Sequence, residues 1–309
     1  MQDDFQPMTT AELMDCAVNV YKKSFVTQLA FAAVLGIAYS ILSVILGMVL
    51  TILMSFLAIT ALSMAFMGAG ASIVNSLASV VFIIVIIITP MVFLWLSLSS
   101  AGHISISRQV LYGRKIRISL GEIFRLSGRV FCTLIALAIV SIPVLLIPFA
   151  ILTVRSSAVA LRLGNIGVTI TIFIFAVGYM LYLNIFSLAI AVSVFEKKTF
   201  FRALFRSWAL IEGEFWKIAG TRLLWMLVIG AISMTLFGVL GLVSGLTQVV
   251  ANMDTFMTTM ILFYVGIGSV VASFAIMPLD GIFHATLYFN QRIKRDGLDI
   301  EIKLERLQA

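Results

Sequence analysis

Not one Asp, Glu, Lys or Arg occurs between Lys23 and Arg108. A crossing needs about 20 apolar residues, so this run has room for two crossings and the loop between them, and no soluble core requires it. Charge is scarce throughout, at 11% of residues against 61% hydrophobic, and with a mean hydropathy of +1.14 the chain reads as an integral membrane protein. Cysteine is almost absent. Cys16 and Cys132 stand far apart, with no cluster of His, Cys or carboxylates at metal-ligand spacing around them. Each reads as a small apolar side chain, not as half of a disulfide or part of a metal site. Histidine is limited to His103 and His284, neither of which begins a catalytic motif. A Gly-rich phosphate loop, a nucleophile elbow and an HExxH helix are missing as well, so the expectation is a protein that is not an enzyme and takes no cofactor or metal.

The chain carries a formal net charge of +7. Its basic residues cluster at the ends of apolar segments, which favours anionic lipid headgroups as the counter-charge and disfavours nucleic acid. The stretch MQDDFQPMTTAELMDCAVNVYKK opens acidic and has no basic n-region, so it is not expected to be a cleavable signal peptide.

Six apolar segments have about the length of a bilayer crossing: Phe25 to Leu50, Ile73 to Ser99, Val130 to Val154, Ile166 to Val194, Ile218 to Val243 and Thr258 to Phe283. All but two of the 21 Lys and Arg flank these segments on one side; Arg155 and Arg162 are on the other. The positive-inside rule then places both termini in the cytoplasm. Asn75, Asn165 and Asp254 are expected on the external side, and Trp95, Trp208, Trp216 and Trp225 near span ends.

A repeat emerges on the basic side, because each odd-numbered segment follows a short amphipathic stretch. TTAELMDCAVNVYKKSF pairs Thr9 with Glu12, and SLGEIFRLSGRVF pairs Ser119 with Glu122, the spacing of a capping box. TFFRALFRSWALIEGEFW retains Thr199 but has Arg202 at the later position. The expected fold is therefore an all-α integral membrane protein of six transmembrane helices, built as three repeats of an interfacial amphipathic helix plus a two-span hairpin. Its parts are the first amphipathic helix (1–24), hairpin 1 (25–107), the second interfacial helix and hairpin (108–195), the third (196–287) and a charged tail (288–309). In the third unit Phe201, Leu204, Phe205, Trp208 and Ile211 share one helical face, flanked by Arg202 and Arg206. That face has two destinations, the lipid headgroup layer or the protein's own spans. Gly238, Gly241 and Gly245 in segment five, and Gly268 with Ala272 in segment six, are spaced for close helix packing.

The candidate contacts to lipid or a partner are Lys22, Lys23, Arg125, Arg129, Arg202, Arg206 and Trp208. A separate candidate is polar and intramembrane. Asp280 and His284, four residues apart after Pro278, share a helical face, and Asn184 is the other polar residue at depth. The pair can serve proton relay, a polar headgroup or a cation, or it can satisfy the backbone freed by the proline; Asn184 also fits interhelical glue. The tail RDGLDIEIKLERL alternates apolar and charged residues with a strand period. Three readings stand for it: a strand added to a partner protein, a short helix on the membrane, or a solvated end.

The start MTTAELMDCAVNVYKKSF, the repeat RALFRSWALIEGEFWKIAG and the ending LYFNQRIKRDGLDIEI resemble bacterial membrane proteins of the glycerophosphoryl diester phosphodiesterase membrane domain family. The resemblance spans nearly the whole chain and is carried by Arg202, Ala203, Leu204, Arg206, Ser207, Trp208, Phe215, Trp216 and the stretch from Arg292 to Asp299. It implies a bacterial inner-membrane anchoring or accessory module. The soluble barrel fused to some members has no counterpart among these motifs, so the resemblance does not imply their hydrolytic activity.

Overall fold

The structure, a computed structural model, describes residues 6–66, 70–155, 160–249, 255–298 and 300. It is all-helical, with 89% of residues in helix. In chain order the helices are α1 (Thr10–Phe66), α2 (Gly70–Leu111), α3 (Leu120–Arg155), α4 (Ala160–Ile185), α5 (Ala189–Phe195), α6 (Phe201–Ile211), α7 (Phe215–Val249) and α8 (Thr255–Asp296). Among the described residues five helices, α1, α3, α7, α8 and the α4–α5 stretch, are long and apolar enough to cross a bilayer, which is compatible with a multi-pass membrane protein. The segment Ile73 to Ser99 lies in α2, where side chains before Ile88 are outside the description. Asp254 and the strand-period tail beyond Ile300 also lie outside it, as do the side chains of Asn75, Arg155, Arg162 and Asn165.

The amphipathic stretches take two different forms. The first capping box is complete: the Thr9 amide donates to Glu12 Oε2 at 2.8 Å and the Glu12 amide to Thr9 Oγ1 at 3.4 Å. The second is half made. The Glu122 amide reaches Ser119 Oγ at 3.5 Å, but the Glu122 carboxylate turns away to accept from Arg108 Nη2 at 3.1 Å. Neither stretch is a separate interfacial helix, since each runs without interruption into the span that follows, the first within α1 and the second within α3, whose ladder passes through Gly121 and Gly128 unbroken. Only the third stands alone, as α6, because Gly213 with φ of 83° turns the chain between it and α7.

Burial is distributed unevenly along the helices. The core is made from Leu13, Ala17 and Val20 of α1, the end of α2 from Ala101 to Leu111, the start of α3, most of α5, one face of α6, and α8 from Leu279 to Ile293. The apolar window of α7 has 0% of its residues buried and that of α8 only 6%. Apolar side chains such as Met234, Leu242 and Phe263 face outward there. Lipid is as apolar as leucine, so it provides no hydrophobic force to press the spans together, and tight packing concentrates at the charged end.

Three glycines lock α1, α2 and α8 in a closed ring of contacts. Phe274 of α8 lies on Gly36 of α1, Phe31 of α1 on Gly102 of α2, and His103 of α2 on Gly281 of α8. A β-carbon at Gly36 or Gly102 would overlap the facing ring, and one at Gly281 would come within 2.8 Å of His103 Cβ. The glycines selected by spacing in segment five behave differently. Gly238, Gly241 and Gly245 have open space where a β-carbon would go, and the close approach of α7 to α8 is made by Leu240 against Gly268. Small-residue spacing marks where helices can meet, and shape elsewhere on the helices decides whether they do.

Candidate functional site: a charged helical hub and its surface

The end of α8 organises the charged end of the bundle. Tyr288 is fully buried, Asn290 and Gln291 nearly so. The Asn290 side chain clamps the backbone of Met8, accepting from its amide at 2.8 Å and donating to its carbonyl at 3.2 Å. Lys294 Nζ and Gln291 Nε2 donate to Glu214 Oε2 at 2.9 and 3.2 Å, which fixes the start of α7.

Glu196, between α5 and α6, is the centre of a network of charged side chains and a tyrosine. It accepts from Tyr288 Oη at 2.9 Å, from Lys198 Nζ at 2.7 Å and from Arg206 Nε at 2.9 Å. Arg206 Nη2 also pairs with Asp296, which in turn accepts from Arg292 Nε at 3.2 Å. Burial by itself would raise the Glu196 carboxyl, but hydrogen bonds from Lys198, Arg206 and Tyr288, with the Arg206 charge, outweigh it and hold the group below its ordinary value. The same network holds a tight loop in which Lys197 and Phe200 adopt φ of 58° and 56°. Non-glycine residues occupy that region at a cost, and the contacts around Glu196 offset it.

The residues selected from sequence separate into two groups. Arg206 is taken up internally by Glu196 and Asp296. Lys22, Lys23, Arg125 and Arg202 lie on the surface, with Arg129 half-buried. Of these, Lys22, Arg125, Arg129 and Arg202 have no ion-pair partner among the described residues. The apolar face assigned to α6 divides as well. Leu204 and Ile211 join Ala203, Ser207 and Leu210 against the protein, while Phe201, Phe205 and Trp208 point outward, Trp208 with 50% and Phe205 with 74% exposure. Trp216 adds a further outward aromatic ring at the start of α7.

Asn184 and Asp280 are both met by a residue that sequence reasoning did not place in the site, the first by a hydrogen bond and the second by charge alone. Arg222 Nη1 donates to Asn184 Oδ1 at 2.7 Å, linking α7 to α4, and Arg222 interacts electrostatically with Asp280 of α8. His284 Nδ1 donates to the Asp280 carbonyl at 2.8 Å and lies 3.4 Å from its carboxylate, which is 68% exposed. Arg222 is seven residues into α7, so the group sits about 10 Å along that helix from its charged end.

Nearby, Ser207 of α6 bridges the break between α4 and α5. It receives the Leu188 amide at 3.2 Å and donates to the Ile185 carbonyl at 3.1 Å, which recovers backbone groups that a low-dielectric setting would penalise. A buried set, Gln28, His103 and Ser107, joins α1 to α2. Gln28 Oε1 accepts from His103 Nδ1 at 2.6 Å, while Gln28 Nε2 donates to Ser107 Oγ at 3.2 Å and the His103 carbonyl at 3.3 Å. The only sequence signal for it was polar residues within a charge-free run.

No protein-family model matches the chain, and no curated protein or solved structure is detectably similar to it.

Proposed function

We propose that the protein is a six-span scaffold or accessory protein of the bacterial inner membrane, with both termini cytoplasmic, whose basic end engages anionic lipid headgroups or a partner protein. One observation supports this most: the cations Arg202, Arg125 and Lys22, without an ion-pair partner among the described residues, share the charged end with outward-facing Phe205, Trp208 and Trp216. Amphipathic aromatic rings beside guanidinium groups match the boundary between acyl chains and phosphates. The test is incorporation into nanodiscs of mixed phosphatidylglycerol and phosphatidylcholine, with the retained lipid quantified after limited delipidation. Enrichment of phosphatidylglycerol, lost when Lys22, Arg125 and Arg202 are changed to Ala, supports the reading; equal retention of both lipids refutes it for lipid.

The link from Asn184 through Arg222 to Asp280 supports a second reading, a transporter or lipid-moving protein that uses this polar group as its site. Asp280→Asn then abolishes movement of a headgroup-labelled lipid across proteoliposomes while abundance and folding are retained. Loss of the folded protein assigns the group a structural role.

A further inference from the structure

The connection between α2 and α3 forms a groove of about 580 Å³ that none of the roles above uses. Its walls hold four cations, Arg108, Arg114, Lys115 and Arg117, against the single carboxylate of Glu122. The backbone beneath them is firmly built. Gly113, with φ of 67°, closes α2: its own amide donates to the Val110 carbonyl at 3.0 Å and the Arg114 amide to the Gln109 carbonyl at 2.9 Å. The Gln109 side chain then grips Arg117 at both backbone groups, accepting from its amide at 2.6 Å and donating to its carbonyl at 3.0 Å.

This clamp fixes the backbone that carries the cations. Arg108 is oriented by the Val194 carbonyl at 3.1 Å and by Glu122 at 3.1 Å, and Arg114 lies over the Tyr112 ring at 5.6 Å. Arg114, Lys115 and Arg117 are exposed and have no carboxylate partner among the described residues. Three cations held close together on a fixed loop repel one another, and a concave wall concentrates their field on an anion. Guanidinium forks match phosphate oxygens in pairs, whereas one carboxylate cannot neutralise the set.

We propose that this groove is a binding site for a phosphate-bearing polyanion, supplied either by a lipid headgroup at the membrane surface or by a soluble diphosphate. Where the source is lipid, the inference rests on the function proposed above.

The experiment uses the full chain in nanodiscs and titrates inorganic pyrophosphate by calorimetry, first in phosphatidylcholine and then with phosphatidic acid present. The variants are Arg114→Gln/Lys115→Gln/Arg117→Gln, Gln109→Ala and Arg202→Gln. Pyrophosphate binding in phosphatidylcholine, weakened at least tenfold by the triple change and several-fold by Gln109→Ala, supports the site and a soluble ligand. Selective retention of phosphatidic acid with the same dependence, and no binding of pyrophosphate, assigns it to lipid. Binding that survives the triple change but is lost with Arg202→Gln overturns the groove while leaving the proposed function standing. Absence of both pyrophosphate binding and selective lipid retention in the unaltered protein overturns the groove without any variant.

Discussion

The Tyr288 hydroxyl donates to Glu196 Oε1 at 2.9 Å across 92 positions of sequence, joining the α5–α6 loop to the buried end of α8. Arg206 closes the same carboxylate from the other side and passes on to Asp296. Tyr288 is fully buried and the Glu196 side chain only 11% exposed, so this is a satisfied interior network that carries charge.

Removing Arg206 leaves two carboxylates without their shared partner. Arg206→Ala is expected to cost roughly 1.5–3 kcal/mol, the range for hydrogen bonds to charged groups. Arg202→Ala, which removes an exposed cation with no ion-pair partner among the described residues, leaves thermal stability unchanged. Thermal unfolding of both variants in the same nanodisc checks the contrast; an equal fall in Tm would contradict it.

Acid should weaken this end of the molecule. Glu196 lies below its ordinary value of 4.5 because the hydrogen bonds and charge around it outweigh its burial. For Glu214, burial again raises the carboxyl, and hydrogen bonds from Lys294 and Gln291 with the charges of Lys294 and Lys217 more than offset it. A carboxyl depressed in the folded state contributes stability that is fully present above its unfolded value and lost as pH falls through its folded value. Stability is therefore level from pH 7 to about 5 and declines below about 4.5. Glu196→Gln should start lower and flatten that decline, as followed by Tm against pH.

The glycine ring provides a packing test. Gly102→Ala places a methyl group in the Phe31 ring, and overpacking of this kind costs about 1–3 kcal/mol. Gly241→Ala meets open space and gains helix propensity, so it is neutral or stabilising by about 0.5–1 kcal/mol. Chemical denaturation in mixed micelles distinguishes them, and a destabilised Gly241→Ala would show that segment five packs on something else.

Topology is tested by thiol labelling after Cys16 and Cys132, both free, are changed to Ser. A cysteine replacing the exposed Ser119 is expected to resist a membrane-impermeant maleimide in intact cells and to react once they are opened. A cysteine at position 156 is expected to react in both. The reverse pattern would invert the orientation.

Much of the molecule is legible in one dimension where physics acts locally. The Thr9 and Glu12 spacing marked a capping box that the structure contains in full, because both partners lie within one turn. The amphipathic pattern of α6 is equally local, yet periodicity could not say which apolar residues face protein and which face outward. Leu204 and Phe205 are adjacent and end on opposite sides of that boundary. Arg222 drew no attention because nothing near it in sequence pairs with it; its partner Asn184 is 38 positions away.

By itself the sequence determined the class of solvent: a run without charge from Lys23 to Arg108 cannot be hydrated, and cations gathered at span ends specify one polar end. It also determined the helices, since backbone in lipid must satisfy itself within a segment. Tertiary structure alone decided what the charged strip after Tyr288 is for. Read linearly it is a charged tail, but Met8, Glu196, Arg206 and Glu214 converge on it from three other parts of the chain. Spans surrounded by lipid gain little by packing apolar faces together, so the specific arrangement rests on polar groups that find one another only when the chain is folded.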